Sequence, residues 1–74
     1  MSFSYGKLRE RILSRYPTLA AFAKDMGMSR TSLSLKLNNV SSFTAQEISK
    51  ACRLLDIPAS EIGEYFFCLR SSEN

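Results

Sequence analysis

The sequence predicts an all-α fold of four or five short helices, and it leaves room for one short C-terminal strand. Apolar residues recur at helical spacing in four segments, which is typical of amphipathic helices. Turn and cap residues separate these segments at short intervals. The length of 74 residues and the hydrophobic content of 45% fit one small globular domain. We therefore expect a compact helical bundle.

Turn-forming residues delimit the first two helices. Ser4 is suited to cap helix one, with Phe3 as a hydrophobic staple before it, and Pro17 ends that segment. Helix two is expected to begin near Thr18 and to stop at Gly27, because glycine readily ends a helix. The residues expected to face the core are Tyr5, Leu8, Ile12, Phe22, Ala23 and Met26.

The third predicted helix carries leucines on two faces. It is capped by Ser29 and runs to about Asn38. Leu33 and Leu37 lie one turn apart and are expected in the core. Leu35 lies about 200° around the helix from each, at about 100° per residue. We expect Leu35 on the surface.

The clearest helix start lies in the second half of the chain. Thr44 and Glu47 have the spacing of a capping box, which predicts a fourth helix that Asp-Ile-Pro at 56–58 ends. A short fifth helix is expected around residues 60–64. The aromatic run YFFCLR at 65–70 favours a strand.

The positive charge is concentrated in residues 1–53, which hold nine of the ten Lys and Arg and three acidic residues, a balance of +6. Residues 54–74 carry −3. A basic body favours a polyanionic partner. An unevenly charged, solvated surface is the alternative.

Several function classes lack the residues they require. The chain has no histidine, no nucleophile elbow and no phosphate-binding glycine loop, so we expect neither an enzyme nor a small-molecule substrate. Cys52 and Cys68 do not form a C-x-x-C pair, and we expect no metal site and no cofactor. We also expect no membrane span and no signal peptide, hence a cytoplasmic protein.

Residues 18–37 have the spacing of a helix-turn-helix, and the stretch FAKDMGMSRTSLSLKLNN resembles the lambda-repressor-like (Cro/CI, Xre-type) family. FSYGKLRERI and EIGEYFF resemble the ends of small Cro-like phage regulators. The resemblance implies a phage or prophage protein that acts in the bacterial host on double-stranded operator DNA. It also implies a DNA-binding domain over 1–64, with the motif at about 18–38. The tail, 65–74, is then a candidate dimerisation segment.

The resemblance assigns the DNA contacts residue by residue. In that family the second helix of the motif enters the major groove. Base contacts are expected from Arg30, Thr31, Ser34 and Leu35, and Arg30 could pair with a guanine edge. The residues expected to contact phosphates are Thr18, Ser29, Lys36, Asn38 and Asn39. Each of these side chains could instead be solvated or serve a turn.

Two departures from the family pattern suggest another partner. Leu19 stands where many DNA-reading relatives have a phosphate-binding glutamine, and Leu35 cannot hydrogen-bond a base. An antirepressor that binds a cognate phage repressor protein, and so modulates the lysis–lysogeny choice, is the alternative function. The expected protein-interface residues are Leu19, Leu35, Tyr65, Phe66, Phe67 and Leu69, the last four as a homodimer contact.

Overall fold

The structure, a computed structural model, describes residues 3–69 and confirms the all-α prediction. The helices are α1 (Gly6–Arg15), α2 (Leu19–Met26), α3 (Arg30–Leu37), α4 (Ala45–Leu55) and α5 (Ile62–Phe66), with a 3-10 turn at Ala59–Glu61. Extended pairing within the described residues is limited to one antiparallel bridge between Phe3 and Leu69. The last part of the predicted tail, 70–74, lies outside the described residues.

One hydrophobic core joins all five helices. Its fully buried large side chains are Phe22, Phe66, Leu8, Ile12, Leu33 and Leu55. The helical spacing of the apolar residues predicted the core faces of α1 to α4, because one buried stripe per helix suffices for a small bundle. Within residues 3–69, no helix has the length and apolar character needed to cross a membrane.

Local hydrogen bonds fix the start of α4. The Thr44 hydroxyl accepts from the Glu47 N–H at 3.1 Å, and the Glu47 carboxylate accepts from the Thr44 N–H at 2.9 Å. This confirms the predicted capping box, which satisfies two amides that would otherwise lack partners. Asp56 ends the helix in a left-handed conformation with φ 54°.

The predicted start of α1 is wrong by one residue. α1 begins at Gly6, and Tyr5 stands at the N-cap position without a side-chain cap. The Ser4 N–H instead donates to the Cys68 carbonyl at 2.7 Å. Pairing with the C-terminal segment therefore replaces the local cap.

The predicted strand at YFFCLR is also wrong for its first residues. Tyr65 and Phe66 belong to α5 and are 7% and 1% exposed. The packed unit therefore extends to Phe66, and a boundary at residue 64 would cut through its core. A run of consecutive apolar residues does not distinguish a strand from a short buried helix.

Candidate partner-binding surface

Two hydroxyl caps and a glycine turn shape the unit formed by α2 and α3. The Thr18 hydroxyl accepts from the Ala21 N–H at 3.1 Å and caps α2. The Ser29 hydroxyl accepts from the Ser32 N–H at 3.0 Å and caps α3. Between the helices, Gly27 takes φ 79°, a left-handed conformation that residues with a Cβ rarely adopt. The two hydroxyls predicted to contact phosphates therefore serve as helix caps here.

The outward side of α3 changes character along its length. Arg30 and Thr31 in the first turn are exposed, and Ser34 is half-buried. Leu35 is 40% exposed, whereas Leu33 and Leu37 are buried, as the spacing of the three leucines predicted. α3 thus presents a polar first turn and an apolar spot further along, and we call this side the α3 face (Arg30, Thr31, Ser34 and Leu35).

Lys36, predicted to contact a phosphate, is engaged within the chain. Its Nζ donates to the Ser42 carbonyl at 2.9 Å and lies 3.2 Å from Glu47 Oε1. The Lys36 side chain is 13% exposed. A phosphate would have to compete with the Glu47 carboxylate for this ammonium group, and the phosphate contact of Lys36 stays a prediction.

The ion pair between Lys36 and Glu47 also affects the pKa of Glu47. Burial of Glu47 raises its pKa, but the hydrogen bond from the Thr44 backbone and the contact with Lys36 outweigh that effect. The pKa of Glu47 therefore lies below its usual value. The carboxylate stays charged at neutral pH and ties the end of α3 to the start of α4.

The two asparagines after α3 are also engaged. Asn38 accepts from Arg9 Nη2 at 3.1 Å and is otherwise exposed. Asn39 has φ 65°, and its side chain bonds both backbone groups of Phe3: Oδ1 accepts from the N–H and Nδ2 donates to the carbonyl, each at 2.8 Å. We call this pair of bonds the Asn39 clasp. The clasp uses both polar groups of the Asn39 amide within the chain, and the phosphate contact of Asn39 stays a prediction.

The basic residues of α1 also have partners within the chain. Lys7 pairs with Glu64 and Arg15 with Asp56, each at 2.6 Å. Arg11 donates to the carbonyls of Leu55 and Asp56. Lys7 and Arg15 are thus paired with carboxylates, and the basic side chains of α1 join this helix to other elements.

The predicted apolar interface residues separate into two groups. Leu19 is half-buried and packs on the core, and Tyr65 and Phe66 are buried within the chain. The interface role of these three residues stays a prediction. Phe67 and Leu69 are each 52% exposed. Sequence reasoning missed Val40, which is 71% exposed and whose N–H donates to the Leu35 carbonyl at 2.9 Å. Leu35 and Val40 are thus both exposed and joined by a backbone hydrogen bond, and we call them the exposed apolar pair.

A cavity of about 290 Å³ opens beside the loop at 38–44, which follows α3. We call it the loop cavity. Its lining residues are Phe3, Tyr5, Asn39, Ser41, Ser42, Phe43, Ile48, Phe66 and Phe67. None of these side chains is charged. Sequence reasoning had no means to find this cavity, because its walls come from both ends and the middle of the chain.

Groups that support covalent or metal chemistry are not evident in residues 3–69. No cluster of three or more Cys, Asp or Glu side chains in that range could hold a metal ion. Burial raises the pKa of the Cys52 thiol, which keeps it protonated and unreactive.

Comparison with known proteins assigns the chain to a family and shows its similarity to a solved structure. Residues 1–68 match the model of a family described as "Protein of unknown function (DUF739)". A comparison with curated proteins gives no match. The chain is similar to the solution structure of the modulator of repression (MOR) of the temperate bacteriophage TP901-1 from Lactococcus lactis, with 37% sequence identity and a TM-score of 0.78. That similarity covers 90% of each chain.

Proposed function

The chain belongs to the DUF739 family and is a relative of a phage modulator of repression, and from this premise we propose that it modulates repression by binding a phage repressor protein. The observation that carries the proposal is the 37% identity to that modulator over 90% of both chains. In a domain of this size, such coverage includes the surface as well as the core.

The contacts at the C-terminal end of α3 support a protein partner. A DNA-reading helix needs polar groups free for base edges and cations free for phosphates. Here Lys36 and Asn39 are engaged within the chain, and Leu35 and Val40 are exposed. Exposed apolar side chains gain free energy when a protein partner removes them from water.

Operator DNA is the second candidate partner, favoured by one observation. Arg30 and Thr31 are exposed in the first turn of α3, directly after the Gly27 turn. A lambda-repressor-like helix-turn-helix would present that turn to base edges. Under this second proposal the α2–α3 unit is such a motif, and the chain binds DNA directly or together with the repressor.

One pair of titrations distinguishes the two partners. The first measures binding of the chain to the purified phage repressor encoded in the same gene neighbourhood, by isothermal titration calorimetry. The second measures binding of the chain alone to the intergenic DNA beside its own gene, by fluorescence anisotropy at two salt concentrations. We expect tight binding to the repressor and no specific binding to DNA.

Two leucine variants test the surface in the first titration. Leu35→Asp is expected to weaken repressor binding roughly 100-fold, because it places a charge in an apolar contact. Leu13→Asp is the matched control, since Leu13 is also an exposed leucine, at 52%, but belongs to α1 and not to the α3 face. We expect it to bind like the parent chain. DNA binding with a steep salt dependence, lost in Arg30→Ala and kept in Leu35→Asp, would instead establish the second candidate.

A further inference from the structure

We propose that the loop cavity is the anchor pocket of the repressor interface and that it receives one apolar side chain of the repressor. The inference rests on the proposed function and extends the contact beyond the α3 face, around the loop at 38–44 and into the aromatic walls behind it. Interfaces often concentrate their binding energy in one such desolvated pocket.

The cavity is continuous with the exposed apolar pair. The Leu35 carbonyl accepts from the N–H groups of Val40 and Ser41, at 2.9 and 3.2 Å. Ser41 in turn lines the cavity. A partner that covers Leu35 and Val40 is therefore brought directly to the cavity, one residue further along the same loop.

The charges around the cavity favour an apolar occupant over an anion. Its own lining is uncharged, and Lys36, the cation near Phe43, is paired with Glu47. The Asn39 amide is used by the clasp. A phosphate or a carboxylate placed there would lose its hydration without gaining a free cation. An apolar side chain has no charge to desolvate there, and the aromatic walls of the cavity give it apolar contacts.

The walls are fixed before any partner arrives. Phe43 contacts Tyr5 and Phe66 edge to face, with ring centroids 5.4 and 5.3 Å apart. Phe67 contacts Phe3 in the same way at 5.9 Å, and the Asn39 clasp holds the Phe3 backbone. Such prior order lowers the entropy that a partner must lose on binding. The volume of about 290 Å³ is close to the lower limit of small ligand pockets, which suits a single side chain.

A second cavity on the same molecule dictates the choice of variants. It has a volume of about 410 Å³, lies between α4 and α5, and shares Ile48 and Phe67 with the loop cavity, but none of its walls comes from the loop at 38–44. Phe67→Ala therefore alters both cavities. Ser41→Trp places an indole at the loop cavity only, from a residue that is already exposed.

The test measures repressor binding of both variants by calorimetry, with the full chain and the full-length repressor described above. We expect Phe67→Ala and Ser41→Trp each to weaken binding at least tenfold. Leu13→Ala and Ser60→Trp are the matched controls, because both residues are exposed and lie outside the two cavities. They are expected to bind like the parent chain. Thermal unfolding of all four variants checks that each of them keeps the fold.

The outcomes separate this inference from the proposed function. If the parent chain binds the repressor and Leu35→Asp abolishes binding while Ser41→Trp leaves it unchanged, the anchor pocket is refuted and the function stands. Loss of binding in Phe67→Ala alone would also refute it, because the second cavity would then account for the effect. If the parent chain does not bind the repressor, the proposed function itself fails.

Discussion

The two ends of α3 differ in what their polar groups do. At the first turn, Arg30 and Thr31 are exposed and project from the fold. At the last turn and in the loop after it, Lys36, Asn38 and Asn39 all form hydrogen bonds within the chain. The polar groups of the first turn are therefore available to a partner, whereas those of the last turn hold the molecule together.

The difference shows that the sequence of a recognition-like helix does not reveal which of its polar residues are available. Lys36 and Asn39 have the side chains that a phosphate contact requires, but the structure uses both to fix the loop after α3. That loop then presents Val40 beside Leu35. The apolar surface at this end of α3 thus depends on Lys36 and Asn39, because their hydrogen bonds fix the loop that carries Val40.

The largest expected effect comes from removing the Asn39 clasp. Asn39→Ala should lower the free energy of unfolding by about 3 kcal/mol: about 1 kcal/mol for each of two hydrogen bonds and about 1 kcal/mol for alanine in the left-handed conformation. Asn39→Gly should cost about 2 kcal/mol, since glycine accepts that conformation without strain. Urea denaturation measures both.

The neighbouring residue provides the control for the clasp. Asn38→Ala removes one exposed hydrogen bond to Arg9 and should cost about 0.5 kcal/mol. If Asn39→Ala were no more destabilising than Asn38→Ala, the two asparagines would be equivalent. The contrast between the ends of α3 would then be much weaker than the hydrogen bonds indicate.

Local sequence predicted most of the helices and their core faces, because caps and helical spacing act within a few residues. Thr44 and Glu47, for example, are three positions apart. The Asn39 clasp was not predictable in this way, since Phe3 lies 36 positions away and only the folded chain brings the two together. Two consecutive asparagines after a helix do indicate a residue in the left-handed conformation, and this was the signal in the sequence that pointed to a special role for Asn39.

The site was less predictable than the fold for the same reason. Leu35 could be placed on the surface by counting 100° per residue. Its apolar neighbour Val40 lies in an irregular loop, where spacing carries no information about exposure. The burial of Tyr65 and Phe66 likewise depends on how α5 packs, which the apolar run at 65–69 does not specify.

A smaller effect is expected from the ion pair of Lys36 with Glu47. Glu47→Gln should lower the free energy of unfolding by about 1 kcal/mol at pH 7, because the amide does not pair with the ammonium group. The folded-state pKa of Glu47 lies below its unfolded value. The stabilisation is therefore present above the unfolded pKa and is lost as the pH falls through the folded one.

Unfolding measured as a function of pH checks this assignment. The gap between the parent chain and Glu47→Gln should be widest at neutral pH and should close below about pH 4. Glu64→Gln is the comparison, because Glu64 pairs with Lys7 on an exposed surface and should have the weaker effect. A gap that stays constant down to acidic pH would show that the Glu47 charge is not what stabilises the loop.

The smallest effect, and one of opposite sign, is expected at the first turn. Arg30 is the first residue of α3, and that turn contains no acidic residue to offset the positive end of the helix dipole. Arg30→Glu should therefore raise the free energy of unfolding by about 0.3–0.5 kcal/mol, while Arg30→Ala should raise it less. A cation at this position therefore lowers the stability of the folded chain slightly. Differential scanning calorimetry at low salt measures the gain. A loss of stability in Arg30→Glu would mean that Arg30 also has a structural role and that the two ends of α3 are alike.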